Sequence, residues 1–103
     1  MDITVRRPVE WENEVYLRDE PFGDNGVFLK PLQVRALVTH TFIDGESFSL
    51  PQPDASYSCV SVVRWPQSWH FLHPGGELII PSEVWPQIRQ QILAICPLDT
   101  MDS

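Results

Sequence analysis

Apolar and polar residues along most of this chain follow the short alternating pattern of β-strands. The strongest stretch is residues 57–65, YSCVSVVRW, where β-branched and aromatic side chains dominate. Further strands are predicted at residues 2–7, 13–18, 27–30, 48–50, 68–73 and 77–80. Turn signals rich in Gly and Pro separate several of them, at residues 21–26 and 73–76. Short strands joined by tight turns indicate antiparallel pairing.

One segment, residues 33–43, fits two interpretations. A helix that begins after Pro31 is the first, because proline is tolerated in the first turn of a helix. A strand is the second, because the β-branched residues between Val34 and Ile43 favour extended backbone. We expect a central strand here, since both of its faces would be apolar. Asp44-Gly45 then predicts a hairpin turn into residues 48–50.

The end of the chain carries the best-marked element, a helix. Apolar residues recur at spacings of four, four and three, which places them on one helical stripe: Val84, Ile88, Ile92 and Ile95. The helix is predicted to begin between Ser82 and Pro86, with Ser82 as a natural N-cap. Pro97 stops it. We interpret the stripe as core, which means that this helix stabilises the fold.

These elements predict the fold class α+β, an antiparallel β-meander of about five to seven strands with one C-terminal α-helix packed on a sheet face. The length of 103 residues fits one domain. We expect a single domain over residues 1–97 and a polar C-terminal tail over 98–103.

Composition then narrows the class of protein. The net charge is −7, which opposes non-specific binding to nucleic acid and favours a basic protein partner. No apolar run approaches the ~20 residues of a membrane span, and no secretory signal is found. We therefore expect a cytoplasmic location and no contact with membranes. Cys59 and Cys96 both lie in apolar sequence, so each is predicted to be a buried thiol, with a disulfide between them as the alternative.

Acidic residues cluster near the start of the chain and form the first candidate binding surface. Glu10, Glu12 and Glu14 alternate, so in extended backbone they line one side, and Asp19 and Glu20 follow. Such a row suits a basic partner, or imitates the phosphates of a nucleic acid. The alternative is a solvated edge whose charges discourage aggregation.

Tryptophans near a turn form the second candidate. Trp65 and Trp69 bracket a proline-containing turn. Tryptophan is enriched at the energetic centres of protein interfaces, and it also stacks on single-stranded bases. Packing in the core is the third interpretation of the pair.

Our leading hypothesis is a non-enzymatic protein-protein interaction module: a small acidic adaptor, regulator or inhibitor that binds a basic protein partner. No cofactor or metal is expected, and homodimerisation is left open. One alternative is a single-stranded nucleic-acid-binding protein that uses Trp65 and Trp69. A second is a small enzyme or metal protein that uses His40, His70 and His73, although no established metal spacing occurs.

Overall fold

A computed structural model describes residues 2–7, 14–20, 26–52 and 59–97. The turn predicted at residues 21–26 lies almost wholly outside these ranges. The described elements follow the order β1 (Asp2–Arg6), β2 (Val15–Glu20), β3 (Gly26–Leu29), α1 (Pro31–Thr39), β4 (Ser47–Ser49), β5 (Ser61–Arg64), β6 (Ser68–His73), β7 (Gly76–Pro81) and α2 (Trp85–Ile95).

The first three strands form an antiparallel sheet in the order β1-β2-β3, which we call the N-terminal sheet. Its inner face is apolar, because Val5, Leu17 and Val27 are direct cross-strand neighbours. On the opposite face Tyr16 stacks on Phe28 with ring centroids 4.4 Å apart. These three strands correspond to the strands predicted at residues 2–7, 13–18 and 27–30.

The strand expected over residues 33–43 is wrong, because residues 31–39 form the helix α1. Pro31 occupies its first turn, and the Gln33 Oε1 accepts a hydrogen bond of 3.0 Å from the Lys30 backbone N–H. Val34 and Leu37 are buried one helical turn apart. Two of the β-branched residues that favoured a strand, Val34 and Val38, therefore lie on the inner face of a helix, and tertiary packing overrides their intrinsic preference.

Because α1 replaces a strand, the turn at Asp44-Gly45 does not join two strands of a hairpin. Gly45 has φ +83° and donates its N–H to the Arg64 carbonyl at 2.8 Å. The turn thus leads the chain from α1 into β4, which pairs with β5.

The last four strands form a second antiparallel sheet, β4-β5-β6-β7, which we call the C-terminal sheet. The predicted strands at residues 48–50, 68–73 and 77–80 all have counterparts here. Of the strand expected over residues 57–65, residues 57 and 58 lie outside the described residues, and within 59–65 the strand β5 covers Ser61–Arg64. On the inner face Val62, Phe71 and Leu78 lie side by side and are buried.

Helix α2 closes the fold on the inner side of the C-terminal sheet. It begins at Trp85 with Val84 as N-cap, inside the predicted window but without Ser82 as the cap. Ile88 and Ile92 are buried, and Val84 and Ile95 pack partly against the same core, which confirms the predicted stripe.

One cluster of buried side chains connects both sheets and both helices, including Leu17, Leu29, Val34, Phe71 and Ile92. The α+β class, the antiparallel pairing and the C-terminal helix are confirmed. The single meander is wrong, since α1 separates the strands into two sheets.

Candidate functional site

Trp65 lies in the tight turn between β5 and β6 and exposes 48% of its surface. The turn is held by the Trp65 N–H, which donates to the Ser68 carbonyl at 2.8 Å, and Pro66 and Gln67 form its tip. The large aromatic side chain of Trp65 is therefore half exposed to solvent on a short turn that is closed by a hydrogen bond.

The indole ring of Trp65 rests on the neighbouring turn. A Cβ atom added to Gly45 would lie 3.2 Å from the ring, so the glycine permits this close packing. Arg64 secures the same turn, since its Nε and Nη2 lie 3.0 and 2.9 Å from the Asp44 Oδ1. The Asp44-Gly45 turn therefore packs against the ring and holds its orientation.

One shallow depression adjoins the indole, and a second lies next to it. The first, of about 270 Å³, is lined by Asp44, Arg64, Trp65, Pro66, Trp69 and Ser82. A second, of about 430 Å³, shares Pro66 and Ser82 and extends to the exposed Glu83. We define the Trp65 surface as the six residues Asp44, Arg64, Trp65, Pro66, Ser82 and Glu83.

Trp69 occupies a different environment from Trp65. It is 9% exposed and stacks on Trp85 with ring centroids 4.4 Å apart, while Phe42 meets it edge-on at 4.9 Å. These contacts place Trp69 in the core, so a two-tryptophan platform for bases is not formed. Trp65 alone of this pair is available to a partner.

The acidic cluster is described in part. Glu10 and Glu12 lie outside the described residues. Glu14 is 9% exposed, and its Oε2 lies 3.2 Å from the Lys30 Nζ. Asp19 and Glu20 are the last two residues of β2. Glu14 thus balances a partly buried lysine, a structural role that the alternating sequence did not indicate.

The three histidines lie apart in the fold. His40 follows α1, stacks on Phe48 at 3.8 Å and has its Nε2 3.2 Å from the Glu46 Oε1. His70 lies on the outer face of the C-terminal sheet. His73 ends β6, where its Nδ1 accepts a 3.2 Å hydrogen bond from the Gly75 N–H, and burial lowers its pKa. Among the described residues, no group of three or more His, Cys, Asp or Glu side chains is placed to hold a metal.

Sequence reasoning missed a group of three polar residues in contact on the outer face of the C-terminal sheet. The Ser68 Oγ lies 2.7 Å from the His70 Nε2, and the His70 Nδ1 lies 3.4 Å from the Glu77 Oε2. Ser68 and His70 are two apart on β6, so strand alternation places them on one face. The pairing of β6 with β7 brings Glu77 to this group. It sets Glu77 directly opposite Leu72 and therefore diagonal to His70 on the same face.

The cysteines differ from each other. Both thiols are free, so the disulfide alternative is wrong, and so is the prediction that Cys59 is buried, since it is exposed. Cys96 is buried as predicted. Burial raises the pKa of the Cys96 thiol, and Arg7, which donates to the Ile95 carbonyl at 3.0 Å, lowers it to a smaller degree.

Within the described ranges, neither helix combines the length and apolar character that crossing a membrane requires. Comparison with known proteins finds no family model, no curated protein and no solved structure that matches this chain.

Proposed function

We propose that this chain is a small acidic adaptor, regulator or inhibitor that acts by binding a protein partner through the Trp65 surface. The observation that carries the proposal is the half-exposed indole of Trp65, fixed in orientation by the turn that bears it and by Gly45. Rigid, partly exposed tryptophans lose little conformational entropy on binding and often supply much of an interface's free energy.

The exposed part of Trp65 sets the size of the expected contribution. An aromatic side chain of this size offers up to about 250 Å², so 48% leaves roughly 120 Å² for a partner to cover. At about 25 cal/mol per Å², covering that area stabilises a complex by about 2–3 kcal/mol. This corresponds to about 30- to 150-fold in affinity.

Charge supports a basic partner. The chain carries a net charge of −7, and Glu83 adds an exposed carboxylate to the depression that Pro66 also lines. An Arg or Lys of the partner that lies over the indole would gain a cation–π contact of about 0.5–2 kcal/mol. Opposite charge would also speed association, so binding should weaken as salt increases.

Capture from a lysate of the native host, with the full chain immobilised, tests the proposal. Trp65→Ala should lose the captured protein, while Phe28→Ala should keep it. Phe28 is a matched control because it is 49% exposed but lies on the N-terminal sheet. Equal capture by the two variants would overturn the assignment of the Trp65 surface.

The acidic row requires a separate test. Charge reversal at Glu10 and Glu12 should reduce capture of a basic partner if the row contributes to binding. Glu14 is better left intact, since its carboxylate pairs with Lys30 and its reversal would also disturb the fold. Capture that is unchanged by the double reversal would remove the row from the binding surface.

An oligonucleotide titration separates this proposal from single-stranded nucleic-acid binding. Binding at low salt that falls steeply as salt rises would favour nucleic acid, because phosphate contacts release counterions. We expect no such binding, given the net charge of −7. Sedimentation of the free chain would show separately whether the partner is a second copy.

A further inference from the structure

The outer face of the C-terminal sheet carries a serine, a histidine and a glutamate in successive polar contact: a hydrogen bond joins Ser68 and His70, and an ion-pair contact joins His70 and Glu77. Ser68 begins β6, and its Oγ lies 2.7 Å from the His70 Nε2. The His70 Nδ1 lies 3.4 Å from the Glu77 Oε2 on the neighbouring strand β7. Each member therefore comes from a paired strand, not from a loop.

The two neighbours of His70 favour one tautomer of its ring. A carboxylate oxygen beside the Nδ1 favours the tautomer in which the Nδ1 carries the hydrogen. The Nε2 then has a lone pair that accepts the hydroxyl proton of Ser68. A base within hydrogen-bond reach of a hydroxyl, itself oriented by a third group, is the arrangement that activates a nucleophile.

We propose that Ser68 is a nucleophile toward carboxylic esters, with His70 as its general base and Glu77 as the residue that positions the imidazole. This activity is separate from binding at the Trp65 surface, and it departs from the non-enzymatic expectation drawn from the sequence. Failure of either proposal leaves the other unaffected.

Apolar side chains beside Ser68, His70 and Glu77 define the class of ester. Leu72 follows His70 by two residues on β6, and Ile79 lies directly opposite His70 on β7. Both are exposed on the outer face. A short apolar acyl group can lie on Ile79, which is diagonal to Ser68 across β6 and β7, while its carbonyl carbon approaches the Ser68 Oγ. Leu72 lies beyond His70, about 13 Å along the strand from Ser68, and extends the apolar surface for a longer acyl group. The substrate class is therefore an ester of a small apolar carboxylic acid.

The reaction balances with water as the second reactant. The Ser68 Oγ bonds to the carbonyl carbon as its proton passes to the His70 Nε2. The bond to the leaving oxygen then breaks, and the alcohol departs with that proton. Water attacks the acyl-serine through the same base, which releases the carboxylic acid and restores the Ser68 hydroxyl. The sum is ester plus water giving acid plus alcohol.

Labelling of the full chain with a fluorophosphonate tests the nucleophile, with peptide mapping by mass spectrometry as the readout. General base assistance typically contributes 10²–10⁴-fold, so Ser68 should react at least about 100-fold faster than an unassisted serine. Ser49 and Ser61 are internal controls, because they share the outer face and lie next to each other, with Oγ atoms 3.4 Å apart. Equal labelling of the three serines, or no labelling, would overturn the proposal.

Variants assign the roles of the other two residues. His70→Ala should lose the rapid labelling, and added imidazole should restore part of it, which a merely structural histidine would not show. Glu77→Gln should slow labelling and Glu77→Asp should retain more of it. Hydrolysis of p-nitrophenyl butyrate should follow the same order and vanish in Ser68→Ala. Labelling or hydrolysis that is indifferent to His70→Ala would refute the assignment of the base.

Discussion

Replacing Ile92 by alanine tests how helix α2 is held. Ile92 is 0% exposed and belongs to the core cluster that includes Phe71 and Leu78 of the C-terminal sheet. The change removes three carbon atoms, worth about 2.4 kcal/mol at about 0.8 kcal/mol per group. The cavity left behind adds to this, so we expect a loss of about 3–4 kcal/mol.

Such a loss is a large fraction of the ~5–15 kcal/mol by which domains of this size are stable. At an m-value of about 1.5 kcal/mol/M, a loss of 3 kcal/mol lowers the urea midpoint by about 2 M. Intrinsic fluorescence is a suitable probe, because Trp69 and Trp85 stack on each other inside the same core. The m-value of the two-state fit should stay the same while the urea midpoint falls.

Ile43→Ala supplies the control. Ile43 is 65% exposed in the segment after α1, so the same atoms are removed without loss of burial. Its effect should stay within about 0.5 kcal/mol. If the two isoleucines cost the same, α2 does not pack on the sheet and the reasoning about its apolar stripe is refuted.

Three further changes probe other contacts. Glu14→Gln should destabilise the chain by about 1–2 kcal/mol, because it removes the negative charge 3.2 Å from the Lys30 Nζ; a double-mutant cycle with Lys30→Met checks the coupling. Burial lowers the pKa of His73 below its usual 6.5, so as pH falls the unfolded chain takes up the proton first. Stability should therefore fall with pH from 6.5 down through the lower folded-state pKa, and His73→Gln should flatten that part of a series of urea midpoints. In the folded chain Cys59 should react with a thiol reagent well before Cys96, which is buried and has a raised pKa; equal rates on a mass spectrum would contradict this.

The sequence identified most elements whose signals are local. The stripe from Val84 to Ile95 was found because helical spacing and Pro97 both appear directly in the sequence. The helix α1 was missed because Val34 and Val38 suit either a strand or one face of a helix. Only packing against the core distinguishes the two, and packing depends on residues distant in sequence.

The candidate sites depended still more on tertiary contacts. Trp65 and Trp69 look equivalent beside the same turn, and only the stack of Trp69 on Trp85 separates the buried ring from the exposed one. Glu14 looked like a member of an acidic row until Lys30 was placed beside it. Residues distant in sequence meet in each case, which periodicity along one segment does not reveal.

The affinity of the captured partner for Trp65→Ala, measured beside Phe28→Ala, tests the central claim most directly. The exposed area of Trp65 predicts a loss of about 30- to 150-fold for the first variant. Phe28 is equally exposed but lies on the other sheet, so its variant should bind like the unchanged chain. Trp65→Ala binding as tightly as Phe28→Ala would contradict the claim that this chain acts through the Trp65 surface.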